Sequence, residues 1–221
     1  MELKKITRGM LAAACLVAGA AQANSVTYGL TNIGSTATDL QDALMSFQQF
    51  QSSMGVLTGV KVEVFSDVST SVLLTNNNSS SRTLDLTFPV ILDLSMPFGP
   101  TLHGADNLLT TPITVDAKVD GVSGTASASD GLKLSASQTY TGAELAAFIG
   151  NGTLDSQLSV TADAALSMNK VRATFNTTAS GYGQVTYFYD APPVPEPETY
   201  GMLLAGLGVI ALVAKRGKRA A

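Results

Sequence analysis

The sequence contains no tryptophan, one cysteine and one histidine, and only 14% of its residues are charged. Each scarcity excludes something. Cys15 falls in the N-terminal apolar stretch, so residues 24–191 hold no disulfide, thiol nucleophile or thiolate metal site. A zinc site with two histidines is impossible, and a Ser/His/Asp arrangement would have to use His103. Residues 24–191 carry 6 basic against 14 acidic side chains, a poor match for phosphate backbones that argues against nucleic acid as a partner. Hydroxyl groups are abundant instead. Ser and Thr make up 43 of these 168 residues, a low-charge composition common in exported β proteins and enough chain for one domain with a sizeable core.

The two ends differ from the middle, and each is net basic. Lys4, Lys5 and Arg8 form a charged n-region, and Met10 to Ala20 are apolar or small. Ala21-Gln22-Ala23 places small residues at both positions a signal peptidase reads. Residues 1–23 are therefore expected to be a signal peptide, cleaved between Ala23 and Asn24. A lipoprotein reading would use Cys15, but the apolar stretch continues through Leu16, Val17 and Ala18, and Ala12 stands where a larger aliphatic is preferred.

Residues 192–221 form the other atypical end. Pro192, Pro193, Pro195 and Pro197 fix φ and make this stretch an extended, semi-rigid spacer. Residues 200–214 carry no charge, and Lys215, Arg216, Lys218 and Arg219 follow as a membrane stop expected to stay cytoplasmic. As a helix the uncharged run is about 22 Å long, short of the roughly 20 residues a span normally needs. The expectation is an apolar transmembrane helix of marginal length, a transient inner-membrane anchor that leaves the middle domain outside. An ordinary C-terminal anchor is the alternative. A GPI signal would lack the basic end.

Val194-Pro195-Glu196-Pro197, the Gly/Leu-rich run Leu203 to Gly208 and the basic Lys215-Arg216 resemble, in that order, the PEP-CTERM sorting signal of Gram-negative bacteria. The resemblance implies processing by an exosortase, an integral-membrane cysteine transpeptidase-like enzyme. It also implies a final place at the cell surface or in an exopolysaccharide and biofilm matrix.

The middle alternates with period two, which places apolar side chains on one face of each strand. Val60, Val62 and Val64 alternate with Lys61 and Glu63; Leu84 to Leu94 alternate with Asp85, Thr87 and Asp93. The same pattern covers 113–119, 132–135, 158–164, 171–175 and 185–189. The expected fold is mainly β: an antiparallel β-sandwich, jelly-roll-like, with one short helix and the C-terminal apolar helix. Asn76 to Ser81, which follows an expected strand at 70–75, Asp120-Gly121 and Asp130-Gly131 read as turns, Pro97, Gly99 and Pro100 end a strand, and Pro89 suggests an edge position or bulge. Thr141-Gly142-Ala143-Glu144 has capping-box form and predicts the short helix. Residues 38–50 fit a helix through Leu40, Leu44 and Phe47, or a strand through Ala43, Met45 and Phe47.

Phe50, Gly55, Leu57, Thr58 and Val60, the Asn-rich turn, the stretch Thr139 to Gly150 and the closing Val185 to Tyr189 resemble choice-of-anchor E domains. The Asp-Pro usual after the Phe is replaced by Gln51-Ser52. That resemblance implies topology and an exported location for 24–191, with no defined chemistry.

Candidate chemistry is sparse. His103 follows a Pro/Gly-rich turn near Asp106, without a G-x-S-x-G elbow, and reads as a solvent-facing loop residue. Asp116, Asp120 and Asp130 could join loop carbonyls around calcium, but no EF-hand or repeat motif is present. Glu63 and Glu144, the only glutamates of the middle domain, read as a strand face and a helix cap rather than a glycosidase pair. Tyr182, Tyr187 and Tyr189 could stack on sugars, although Tyr187 and Tyr189 share the apolar register. The reading that follows is a non-enzymatic, cofactor-free exported matrix protein. Its partners would be signal peptidase, an exosortase-type enzyme, transiently the inner membrane, and extracellular polysaccharide. The alternative is a carbohydrate- or calcium-binding module that tethers matrix polymer.

Overall fold

The computed structural model describes residues 23–217 apart from Thr38, Ala165, Ser167 and 193–196. Residues 1–22 of the expected signal, Ala21 among them, and Val194, Pro195, Glu196, Lys218 and Arg219 lie outside the described residues.

Ala23–Ala191 forms one compact unit. Its strands are β1 (Ala23–Gly29), β2 (Ile33–Ala37), β3 (Leu40–Gln48), β4 (Val56–Asn76), β5 (Arg82–Leu84), β6 (Phe88–Ser95), β7 (Leu102–Leu108), β8 (Ile113–Val115), β9 (Gly124–Tyr140), β10 (Thr153–Ala162) and β11 (Val171–Asp190). One sheet has the order β1-β11-β4-β9, with β2 also beside β11; a second has the order β3-β10-β6-β7; β5 and β8 pair separately. These strand pairings are antiparallel.

Both sheets turn alternate side chains into one core. Val60, Val62, Val64, Val68, Val72 and Leu74 are buried along β4, while Val90, Leu92 and Leu94 on β6 and Leu158 and Val160 on β10 come from the second sheet. Long strands replace several of the short ones expected. β4 unites 60–64 with 70–75, and β11 unites 171–175 with 185–189. The apolar signal fades between those pieces because Ser66 and Thr70 take the buried positions of β4, and Ala179 and Gly181 those of β11. Backbone pairing continues through them. At Gly181 a Cβ would collide with Leu158, so close packing of the sheets accounts for the small residue there.

Several turn expectations need correction. Asp130-Gly131 is no turn: it lies inside β9, opposite Thr70 and Ser69 of β4. The Asp130 carboxylate accepts the N–H groups of Leu109 and Gly131, each at 2.8 Å. The strand expected across 84–94 breaks at Asp85, which accepts both the N–H and the hydroxyl of Thr87. Residues 113–119 are strand only to Val115. Pro89 has an edge position within an interior strand, paired with Asn107 of β7 and with no partner on the β10 side. It is the second residue of β6, one position before the ladder to β10 begins at Val90, so its missing N–H costs no bond there. The helix at Gly142–Phe148 is 3₁₀, and Thr141 makes no side-chain cap. Residues 40–48 form a strand, with Met45 and Phe47 buried and Leu44 exposed. Asp120-Gly121 does turn the chain, at φ 50° and 84°, between hydrogen-bonded Val119 and Val122.

The registers define two ends of this domain. At the terminal pole the start of β1, the end of β11, the start of β4 and the end of β9 meet, with loops 49–55, 96–101 and 141–152. At the far pole lie loops 77–81, 116–123 and 163–170.

After the domain, Pro197–Gly217 forms helix α1. Tyr200, Met202, Leu203, Leu204, Leu207, Val209 and Ile210 are exposed on it. Among the described residues no helix is long and apolar enough to cross a membrane, so the expected transmembrane helix is not found there.

Candidate functional site

The last strand of the domain ends at a paired position. Asp190, the last residue of β11, pairs with Ala23 on one side and Val56 on the other. Gly55 packs its Cα face on the Asp190 carbonyl at φ 142°, where a side chain would collide with that carbonyl. Pro197 opens α1, as suits a residue with no N–H to leave unpaired in a first helical turn. Lys215 and Arg216 fall in its last turn. The expected cleavage position lies at the other chain end: Ala23 begins β1, and Asn24 pairs with Tyr189.

The other candidates scatter. His103 is a strand residue of β7 rather than a loop residue, opposite Asp93 of β6, with Nδ1 2.7 Å from Asp93 Oδ1. Both side chains are open to solvent, at 59% and 41% exposure. Asp106 instead accepts the N–H of Asn107. Asp116, Asp120 and Asp130 do not converge, and among the described residues no group of three or more His, Cys, Asp or Glu could hold a metal ion. Glu63 bonds Lys61 at 2.7 Å and accepts the Gln184 amide at 2.9 Å. Those bonds, Lys61 first, hold its carboxyl below the usual range, the reverse of what a proton-donating acid needs.

The three tyrosines divide as their registers dictate. Tyr187 is fully buried and donates its hydroxyl to the Gln48 carbonyl at 2.8 Å. Tyr189 is partly buried and packs on Phe50 at 5.3 Å between ring centroids. Tyr182 lies on the outer face of the first sheet, stacked on Phe65 at 5.5 Å, with Lys133 Nζ over both rings at 5.2 and 5.1 Å. Contact with the Tyr182 hydroxyl raises the Lys133 pKa. Further along the same face a shallow groove of about 420 Å³ is lined by Ser71, Leu73, Ser127, Ser129, Thr174 and Asn176.

Two buried groups escaped the sequence reading. Asn76 is fully buried: its amide donates to the Ser80 and Asp116 carbonyls, and its Oδ1 accepts from the Asn78 backbone and side chain. It ties together loops of the far pole. The only signal was its even-numbered place in the β4 alternation. Tyr140 is buried with no hydrogen-bond partner for its hydroxyl. It packs against Phe148 at 4.9 Å.

Residues 193–219 match the PEP-CTERM protein-sorting motif. The chain therefore carries a C-terminal sorting signal, which implies an exported protein processed by an exosortase-type enzyme. No curated protein matches the chain. A chain in a structure of infectious bursal disease virus, Gt strain, is 9% identical over 84% of this chain, at a TM-score of 0.14. This chain spans about half (49%) of that one, a likeness too distant to define a fold.

Proposed function

We propose that this is a non-enzymatic surface or matrix protein whose jelly-roll-like, choice-of-anchor E-like domain is delivered by its tail. The signal peptide is removed after Ala23. The helix after Pro197 engages the inner membrane briefly, through its exposed apolar side chains and the basic Lys215, Arg216, Lys218 and Arg219. Processing around Val194-Pro195-Glu196-Pro197 then releases the domain to the cell surface or exopolysaccharide matrix of a Gram-negative bacterium. The observation that carries this reading is the motif match over 193–219. A variant with Glu196→Ala and Pro197→Ala is expected to accumulate unprocessed in the inner membrane. Intact mass and fractionation check it; maturation and location like the wild type would sink the reading.

The second reading, a module that tethers matrix polymer, is favoured by Phe65, Tyr182 and Lys133 beside a hydroxyl-lined groove on one open sheet face. Calorimetry of residues 24–191 with the producing organism's polysaccharide tests it, and no heat of binding would count against it.

A further inference from the structure

This inference rests on the reading just proposed, in which both ends of the precursor are directed to a membrane. Ala23 and Asp190 are partners in an antiparallel pair. The N-terminal entry to β1 and the C-terminal exit from β11 therefore lie at the same pole of the domain. Both lead to basic clusters, Lys4, Lys5 and Arg8 at one end and Lys215, Arg216, Lys218 and Arg219 at the other.

The pole from which they leave is almost free of charge. Loops 49–55, 96–101 and 141–152 contain a single charged side chain, Glu144, and Asp190 adds one at the end of β11. Loops at the far pole carry Asp116, Lys118, Asp120, Asp163 and Lys170. Exposed apolar side chains occur at both: Val56, Ile149 and Phe188 at the terminal pole, Val119, Val122 and Met168 at the far one. Apolar exposure alone does not separate the two ends; the chain exits and the charge do. Bringing a surface against lipid headgroups strips water from it, which is costly for charges and favourable for Val, Ile and Phe. The terminal pole is also firmly based. Phe98, Tyr140 and Tyr187 surround Phe148 at centroid distances of 4.8, 4.9 and 6.4 Å beneath its loops.

We infer that the terminal pole is a lipid-contacting surface, which rests on the outer face of the bilayer through Val56, Ile149 and Phe188 while the tail is still attached. The domain has no cysteine, so single-site labelling reads this directly. The full chain carrying Cys15→Ala receives Val56→Cys, Ile149→Cys, Val119→Cys or Val122→Cys, all at exposed positions. Each is labelled with a polarity-sensitive fluorophore. The protein is added to vesicles of phosphatidylcholine and phosphatidylglycerol containing a lipid quencher at headgroup depth. Labels at 56 and 149 should be quenched several-fold more strongly than those at 119 and 122. Equal or reversed quenching on vesicles that the protein has joined overturns the pole assignment and leaves the membrane role of the tail standing. Failure of the full chain to float with vesicles overturns both. Protection of positions 56 and 149 in cell envelopes but not on vesicles overturns lipid contact in favour of a membrane-protein partner.

Discussion

Tyr140 and Tyr187 occupy the same core with opposite consequences for their hydroxyls. Tyr187 donates to Gln48, and Tyr140 has no hydrogen-bond partner. Losing a made bond costs about 1 kcal/mol, while removing an unsatisfied buried hydroxyl is neutral or favourable. Tyr187→Phe should therefore lower the urea midpoint of residues 24–191, and Tyr140→Phe should keep or raise it. Alkaline pH adds a second test. Burial, then the charge of Glu144, pushes the Tyr140 pKa from 10.0 up to about 12. Burial, then Tyr28, raises Tyr187 as well. The folded state keeps protons that the unfolded chain has already released. This stability is intact below the ordinary tyrosine value and is lost as pH rises through the folded one. Tyr140→Phe should make the decline between pH 10 and 12 shallower in denaturant titrations. Asn76 works by the same rule on a larger scale. Asn76→Ala leaves two carbonyls and the Asn78 donors without their partner, and should cost about 2–4 kcal/mol, read from the same urea curves.

At the scale of elements, Gly55 fixes the junction from which the tail departs. Gly55→Ala meets both an unfavourable φ and the Asp190 carbonyl. It should destabilise the domain by about 1–3 kcal/mol and speed amide exchange at Tyr189 and Asp190 most of all. Alternation made the β class and the buried faces of β4, β6, β10 and β11 legible in the sequence. Strand length was not legible, because Ser66, Thr70, Ala179 and Gly181 interrupt the apolar pattern without interrupting the ladder. Asp130-Gly131 misled because the dipeptide satisfies its turn-like bonds locally while lying within a strand. His103 misled because its partner Asp93 comes from the neighbouring strand. For the tail the sequence sufficed: its motif is contiguous and needs no tertiary contact to be read. The pairing of Ala23 with Asp190 lay beyond it, since nothing local marks two positions at opposite ends of a domain as neighbours.

For the whole molecule, the matched sorting signal belongs to the tail and the strands belong to the domain. The tail carries addressing information. The open face of the first sheet offers hydroxyls, two half-buried rings and one lysine. β1 starts and β11 ends at the terminal pole, where Ala23 pairs with Asp190. The same pairing sets a clock. Ala23 and Asp190 are 167 positions apart, so at roughly 5–20 residues per second β1 waits about 8–33 s for synthesis to supply its partner. During that interval it is a strand without a sheet. Its sequence ANSVTYG holds Val26 and Tyr28 as its only large apolar side chains. A segment this polar is a weak template for association with other chains, which lets the first strand made be among the last to pair.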